Sequence, residues 1–262
     1  MPFARRPPAD TSVVAPHGVP ATVRSFSHAG ATLVVESFGR GARTFLFLHG
    51  IGMGRLAFRG LAGHLRGRGR FIAVDLPGYG AAPEPSRILT MARTADLLAA
   101  LLRDGGEGPV TVVGHSMGTQ VAVELAARHP ALVDGVVLLA PTVTRTERTA
   151  ARQILRLAHD LAIESPRVIL VGAIEYLRAG PHIHGKFRAM LAHHPEDVYP
   201  RVTQPALVIR GGSDRVCPQW WCAEVAAALH GADLIEVDHH GHETMIRDSA
   251  SSAAAILAFT EG

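Results

Sequence analysis

Apolar positions along the chain fall into short runs: "TLVVESF" (32–38), "TFLFLH" (44–49), "RFIAVDL" (70–76), "PVTVVGH" (109–115), "DGVVLLA" (134–140), "PALVIRG" (205–211) and "DLIEVD" (233–238). From residue 44 onward most of these runs are separated by segments whose apolar residues recur at helical spacing. In "TMARTADLLAALLRD" (90–104), Ala95, Leu98 and Leu102 share one face, and "MGTQVAVELAARHP" (117–130) is stopped by Pro130. Strands that are apolar on both faces and alternate with helices predict a mainly parallel sheet covered on both sides. Ligands of such sheets bind beyond the carboxyl ends of the strands, so functional residues are expected just after the apolar runs.

At 262 residues and 47% hydrophobic composition, the chain is long enough to bury one large α/β core and is no disordered polymer. Its 26 basic and 23 acidic side chains leave a net charge of +3 and form no basic block interleaved with aromatics, so no nucleic-acid partner is expected. The two cysteines, Cys217 and Cys222, are too few for a disulfide framework and read as buried thiols of a reducing compartment. The N-terminal stretch carries Arg5 and Arg6 but no apolar segment behind them. Residues 1–21 are therefore expected to be a flexible arm, and the protein is expected in the cytoplasm, without a membrane partner.

The strongest chemical signal lies where the sheet argument places it. Gly114-His115-Ser116-Met117-Gly118 joins a strand to a helix, the setting of a Gly-x-Ser-x-Gly nucleophile elbow. A serine on so sharp a turn needs residues without bulk two before and two after it, because strand and helix cross closely there. Gly114 and Gly118 meet that need. The turn exposes the Ser116 hydroxyl, while the helix starting at Met117 directs unpaired N–H groups and its positive end toward any oxyanion formed there.

From about residue 22 to the C-terminus, the chain resembles the α/β-hydrolases. "LFLHGIGMG" (46–54) is similar to that family's oxyanion loop, "VDLPGYGAAPEP" (74–85) to the loop after the fourth strand, and "GHSMG" (114–118) to the elbow. "LVIRGGSDRVCP" (207–218) resembles the loop that carries the acid, and "VDHHGHETM" (237–245) the loop that carries the histidine. The resemblance implies an α/β-hydrolase fold with a roughly eight-stranded sheet and a triad of Ser116, Asp214 and His242. It also implies an oxyanion hole made by the backbone N–H groups of Ile51 and Met117.

Read from the residues alone, the partners of Ser116 are less uniquely marked. Asp214 follows Gly211-Gly212-Ser213 at the carboxyl end of an apolar run, whereas Asp238, at the end of "LIEVD", is a rival for the acid. The strand ending at Ala140 is followed by Pro141 and Thr142, so it offers no acid. Three histidines, His239, His240 and His242, compete for the base; Gly241 gives the loop before His242 its freedom. His115 reads as packing beneath the nucleophile, and the histidine cluster lacks the carboxylate and cysteine spacing of a metal site. Neither metal nor cofactor is expected.

Between Pro141 and Gln204 the strand–helix alternation stops. Helices are expected within 145–164, 165–181 and around 185–194. Residues 141–204 thus look like the helical cap that such hydrolases insert after the sixth strand, with residues 22–140 and 205–262 as the core. His182 and His184 face either the pocket or solvent.

The resemblance implies a serine hydrolase that cleaves a carboxylic ester, lactone or thioester of a small, largely apolar molecule through an acyl-enzyme. Alternatives are carbon–carbon bond hydrolysis or cyclisation by the same triad, or a ligand-binding protein with vestigial hydrolysis. Epoxide and haloalkane hydrolysis are disfavoured, because those relatives carry aspartate at the elbow. A monomer or homodimer is expected, with a small molecule as the partner.

Overall fold

The structure, a computed structural model, describes residues 11–14, 20–146, 148 and 182–261. Nine strands form one sheet: β1 (Thr11–Val14), β2 (Pro20–His28), β3 (Ala31–Gly39), β4 (Thr44–Leu48), β5 (Arg70–Asp75), β6 (Val110–His115), β7 (Val133–Leu139), β8 (Ala206–Gly211) and β9 (Asp233–Val237). Their order is β1-β2-β3-β5-β4-β6-β7-β8-β9. The first three strands are antiparallel to their neighbours, and β4 through β9 run parallel to one another.

Strand periodicity divides the core into two layers. Leu46, Leu48, Ile72, Val74 and Val112 point to one face, where they meet helices α2 (Met91–Asp104) and α3 (Met117–Arg128). Phe45, Phe47, Phe71, Ala73 and Val113 point to the other, against α1 (Arg59–His64) and the C-terminal helix α7 (Ser249–Glu261). The side-chain period of two leaves both faces of β4, β5 and β6 apolar, as the doubly covered sheet requires. Helix α2 forms where the spacing predicts it: Ala95, Leu98 and Leu102 are buried, and the Thr90 hydroxyl accepts a hydrogen bond from the Arg93 N–H at 3.3 Å as its N-cap.

The N-terminus differs from the expected arm. Residues 11–14 pair with 20–23 in an antiparallel hairpin, which adds an edge strand and raises the count from roughly eight to nine. The missed strand β2 is "PATVRSFSH", whose far half is half-buried or exposed on both faces and so lacks a clean apolar alternation.

Of the three helices expected between β7 and β8, the two over 145–164 and 165–181 fall largely outside the described residues. The third is present as α4 (Ile183–Ala192), with Ile183, Lys186 and Met190 on its buried face and His182 and His184 exposed. Helix α5 (Gln219–Ala228) and the short α6 (Thr244–Arg247) complete the described α-helices. Among the described residues, no helix is long and apolar enough to cross a membrane.

Candidate active site

Ser116 sits between β6 and α3 with φ 52° and ψ −119°, a left-handed conformation that non-glycine residues rarely adopt. Such a residue costs on the order of 1–3 kcal/mol and persists only where its neighbours fix it. Here the Ser116 N–H donates to the Leu139 carbonyl at 3.0 Å, and the Thr119 hydroxyl donates to the Ser116 carbonyl at 2.6 Å. The flanking glycines answer to close approach. A Cβ on Gly114 would lie 2.5 Å from the Gly118 carbonyl oxygen, and one on Gly118 would lie 2.7 Å from the Leu48 carbonyl carbon.

His242 lies on the loop between β9 and α6, and its two ring nitrogens face different partners. Nε2 is 3.0 Å from Ser116 Oγ, and Nδ1 is 3.0 Å from Asp214 Oδ2. Asp214, on the loop after β8, uses its other oxygen to accept hydrogen bonds from the Val216 and Cys217 N–H groups, each at 2.8 Å. Burial pushes the Asp214 carboxyl up, but the His242 ring and the two backbone donors outweigh burial, so the group stays below the usual carboxylate range. An ionised Asp214 accepts from Nδ1–H, which leaves Nε2 as the acceptor of the Ser116 proton.

The rivals stand elsewhere. Asp238 is exposed on the turn after β9, His239 is exposed beside it, and His240 lies 3.6 Å from Asp248. His115 is buried under the site, where its Nε2–H donates to the His242 carbonyl at 3.1 Å. Burial above all, and next the His242 ring, lowers the His115 pKa from 6.5 to about 3, so its imidazole is neutral at physiological pH.

The glycine-rich exit of β4 comes to rest against this elbow. A Cβ on Gly50 would sit 3.0 Å from His115 Nδ1 and 3.1 Å from the Ser116 Cβ, so any larger residue would have to push one of them aside by a few tenths of an ångström. His49 fixes the start of the loop: its Nδ1–H donates to the Gly50 carbonyl at 2.7 Å, and its Nε2 accepts from the Leu76 N–H at 3.0 Å. Asp75 fixes its end by accepting from the Arg55 N–H at 2.6 Å, the Ala81 N–H at 2.9 Å and the Arg55 guanidinium, which also bonds Glu36. Ile51 is half-buried within this loop, and Met117 is the first residue of α3.

Several residues at the site carried no sequence signal. Cys217 Sγ is 3.9 Å from His242 Nδ1 and donates to the Pro141 carbonyl at 3.0 Å. With Asp214 and His242 it forms a trio whose ligand atoms lie within 4.8 Å of one another, the one such group among the described residues. Those atoms already face one another or Pro141, so a metal there would have to displace the hydrogen bonds of the site. Thr142, on the loop leaving β7, places its hydroxyl 3.5 Å from Ser116 Oγ. A cleft beside Met117 is lined by Leu76, Tyr79, Ile88, Leu89, Val121 and Lys186. Lys186 Nζ donates to the Gly78 carbonyl at 2.6 Å and pairs with Glu84 at 2.7 Å, tying α4 to the loop after β5.

A serine on a strand-to-helix elbow, followed along the chain by an acid and then a histidine, on a mostly parallel sheet defines the class, and comparison with known proteins agrees. Residues 45–255 match the profile of the alpha/beta hydrolase family, and the chain belongs to that family. It is 25% identical to the uncharacterized hydrolase YugF of Bacillus subtilis, across 84% of this chain and 91% of that protein. It is 30% identical to the 2-(acetamidomethylene)succinate hydrolase of Mesorhizobium japonicum, across 71% of this chain and 76% of that enzyme. Among solved structures, a thermophilic esterase from Thermogutta terrifontis superposes with a TM-score of 0.78 over 97% of this chain and 98% of its own, at 20% identity. That likeness concerns the fold.

Proposed function

We propose that this α/β-hydrolase cleaves a carboxylic ester, lactone or thioester of a small, largely apolar molecule through a covalent acyl-enzyme. The observation that carries this reading is the hydrogen-bonded chain from Asp214 through His242 to the hydroxyl of Ser116, with Ser116 at the N-terminus of α3. A serine hydroxyl is a weak nucleophile at neutral pH and needs an adjacent base. As Ser116 Oγ bonds to the carbonyl carbon, its proton passes to His242 Nε2, and Asp214 stabilises the imidazolium and holds the tautomer. The N–H groups of Ile51 and Met117 receive the oxyanion; loss of one such donor typically costs about 3–4 kcal/mol. The imidazolium then protonates the leaving alcohol or thiol, water attacks the acyl-enzyme with His242 again as base, and Ser116 regains its proton.

Residues 141–204 serve as the cap in this reading, and the apolar cleft between Met117 and α4 suits the apolar part of the substrate. The relatives' names cover esters and an acetamidomethylene succinate, so the substrate itself must come from assay. Fluorophosphonate labelling followed by peptide mass spectrometry should place the label on Ser116, with hydrolysis of p-nitrophenyl esters lost in Ser116→Ala. A label elsewhere, with activity intact in that variant, would overturn the reading. Nitrophenyl esters of graded length, run beside lactones and thioesters, would then rank the acyl groups.

A further inference from the structure

The loop that leaves β7 is held more firmly than a connection requires. Pro141, Thr142, Val143 and Thr144 are all buried. The Pro141 carbonyl accepts from the Trp221 indole N–H and from the Cys217 thiol, each at 3.0 Å. One residue on, the Thr142 carbonyl accepts from Gln120 Nε2 at 3.0 Å, and the same amide reaches the Met190 carbonyl of α4 at 3.3 Å. Buried donors on α3, on α5 and on the loop before α5 therefore fix the backbone on both sides of the Thr142 side chain, whose hydroxyl faces Ser116 Oγ.

The direction of that contact follows from the proton inventory. His242 Nδ1 carries its hydrogen toward the Asp214 carboxylate, so Nε2 offers a lone pair and takes the Ser116 hydroxyl proton. With its one hydrogen engaged, Ser116 Oγ faces Thr142 as an acceptor, and Thr142 must donate. A buried hydroxyl without a partner is unfavourable, and valine would fill the same volume without that penalty. Among the described residues, Ser116 Oγ is the partner recorded for the Thr142 hydroxyl.

We propose that Thr142 is a further catalytic residue: its hydroxyl donates a hydrogen bond to Ser116 Oγ and stabilises negative charge on that oxygen whenever the serine gives up its proton or departs from the acyl group. The proposal rests on Ser116 being the nucleophile. In acylation the Oγ–H bond breaks toward His242 Nε2 while the Oγ–C bond forms. In deacylation a water hydrogen passes to Nε2, the C–Oγ bond breaks, and Oγ takes the proton back from His242. The Thr142 proton stays on Thr142 throughout. At 3.5 Å the resting contact is long, and it shortens as charge builds on Oγ, as catalytic hydrogen bonds do.

The test is stopped-flow hydrolysis of p-nitrophenyl acetate, which separates the acylation burst from steady-state deacylation, on wild type, Thr142→Val and Thr142→Ser. Removing one neutral hydrogen bond to the reacting oxygen should slow both rate constants by roughly three- to tenfold in Thr142→Val. The serine variant should return them to within about twofold, and the burst dependence on substrate concentration should be unchanged. Fluorophosphonate labelling of Ser116 should slow in parallel.

A valine variant as fast as wild type, or a serine variant as slow as valine, would overturn the proposal, the second because it would make the methyl group the active feature. Should Thr142→Val not fold, Thr142→Ala carries the same comparison. Ser116→Ala separates the two levels. If it keeps the burst, the nucleophile reading fails and this one with it; if it is inactive while Thr142→Val is normal, the role of Thr142 alone fails.

Discussion

Replacing His115 with Gln should remove a large part of the protein's sensitivity to mild acid. His115 is fully buried with a pKa of about 3, against 6.5 for an unperturbed imidazole. Between those values the unfolded chain binds a proton that the native state refuses, so stability rises with pH and falls as the solution is acidified. Full linkage for one such group has a slope of about 1.4 kcal/mol per pH unit, and integrating it from pH 7 to pH 5 gives a loss of about 2 kcal/mol. Glutamine keeps an N–H donor for the His242 carbonyl but has no proton to gain. Urea denaturation at pH 7 and pH 5 gives the loss for each protein separately, so any baseline destabilisation by the substitution cancels. The wild type should lose about 2 kcal/mol more than His115→Gln over this interval. Equal losses in the two proteins would refute the reasoning, since His115 would then titrate alike in both states.

Three further outcomes follow from contacts at the site. Asp214→Asn should lower kcat by something on the order of ten-thousand-fold by favouring the wrong imidazole tautomer, while Asp238→Asn stays within about twofold; kinetics with the reverse pattern would transfer the acid role. Gly118→Ala drives a Cβ against the Leu48 and His49 backbone and should cost at least about 3 kcal/mol in urea denaturation or prevent folding, whereas Gly108→Ala, with nothing within 4 Å, should be close to neutral. Asp75→Asn sets an amide against the N–H donors of Arg55 and Ala81 and removes one of the Arg55 carboxylates, so a loss of about 3–5 kcal/mol and a lowered kcat are expected; unchanged stability would remove Asp75 as the anchor of the 50–55 loop.

How far each part of the site could be read in advance depends on how local its constraint is. Ser116 is legible because strand, tight turn and helix meet within five residues and both crowded positions demand glycine. Asp214 and His242 are placed at strand ends by pattern, but their pairing with a serine 126 residues away from the histidine is a tertiary fact that only family order anticipates. Thr142, Gln120 and Cys217 are ordinary residues until the fold brings them together. Nothing in "PTVT" distinguishes a threonine that faces a nucleophile from one on a surface loop, and the Cys217 spacing becomes meaningful only once β8 and β9 lie side by side. The N-terminal hairpin was illegible for a different reason: the far half of β2 is half-buried or exposed on both faces, so it needs no strict alternation.

The geometry of the sheet explains why these loops take the shapes they do. Five neighbouring parallel strands, β4, β6, β7, β8 and β9, lead at their carboxyl ends to the loops that carry Ile51, Ser116, Thr142, Asp214 and His242. Adjacent strands lie about 4.8 Å apart, so β9 starts about 14 Å from β6, far beyond the reach of an imidazole. The histidine must therefore be carried back over the ends of β8 and β7 by its own loop. Gly211, the last residue of β8, makes room for that crossing, because any Cβ there would overlap the carbonyl oxygens of His240 and Gly241. The Ser213 N–H then donates to the His240 carbonyl at 2.9 Å, and the Thr244 hydroxyl donates to the Gly241 carbonyl at 2.8 Å, fixing the returned loop to β8 and to α6. Asp214 lies directly under the crossing, which is why an acid after β8 meets Nδ1 while Asp238, at the root of the loop on β9, is left facing solvent. Which of the two aspartates stands beside His242 is thus set by the path of the backbone between them.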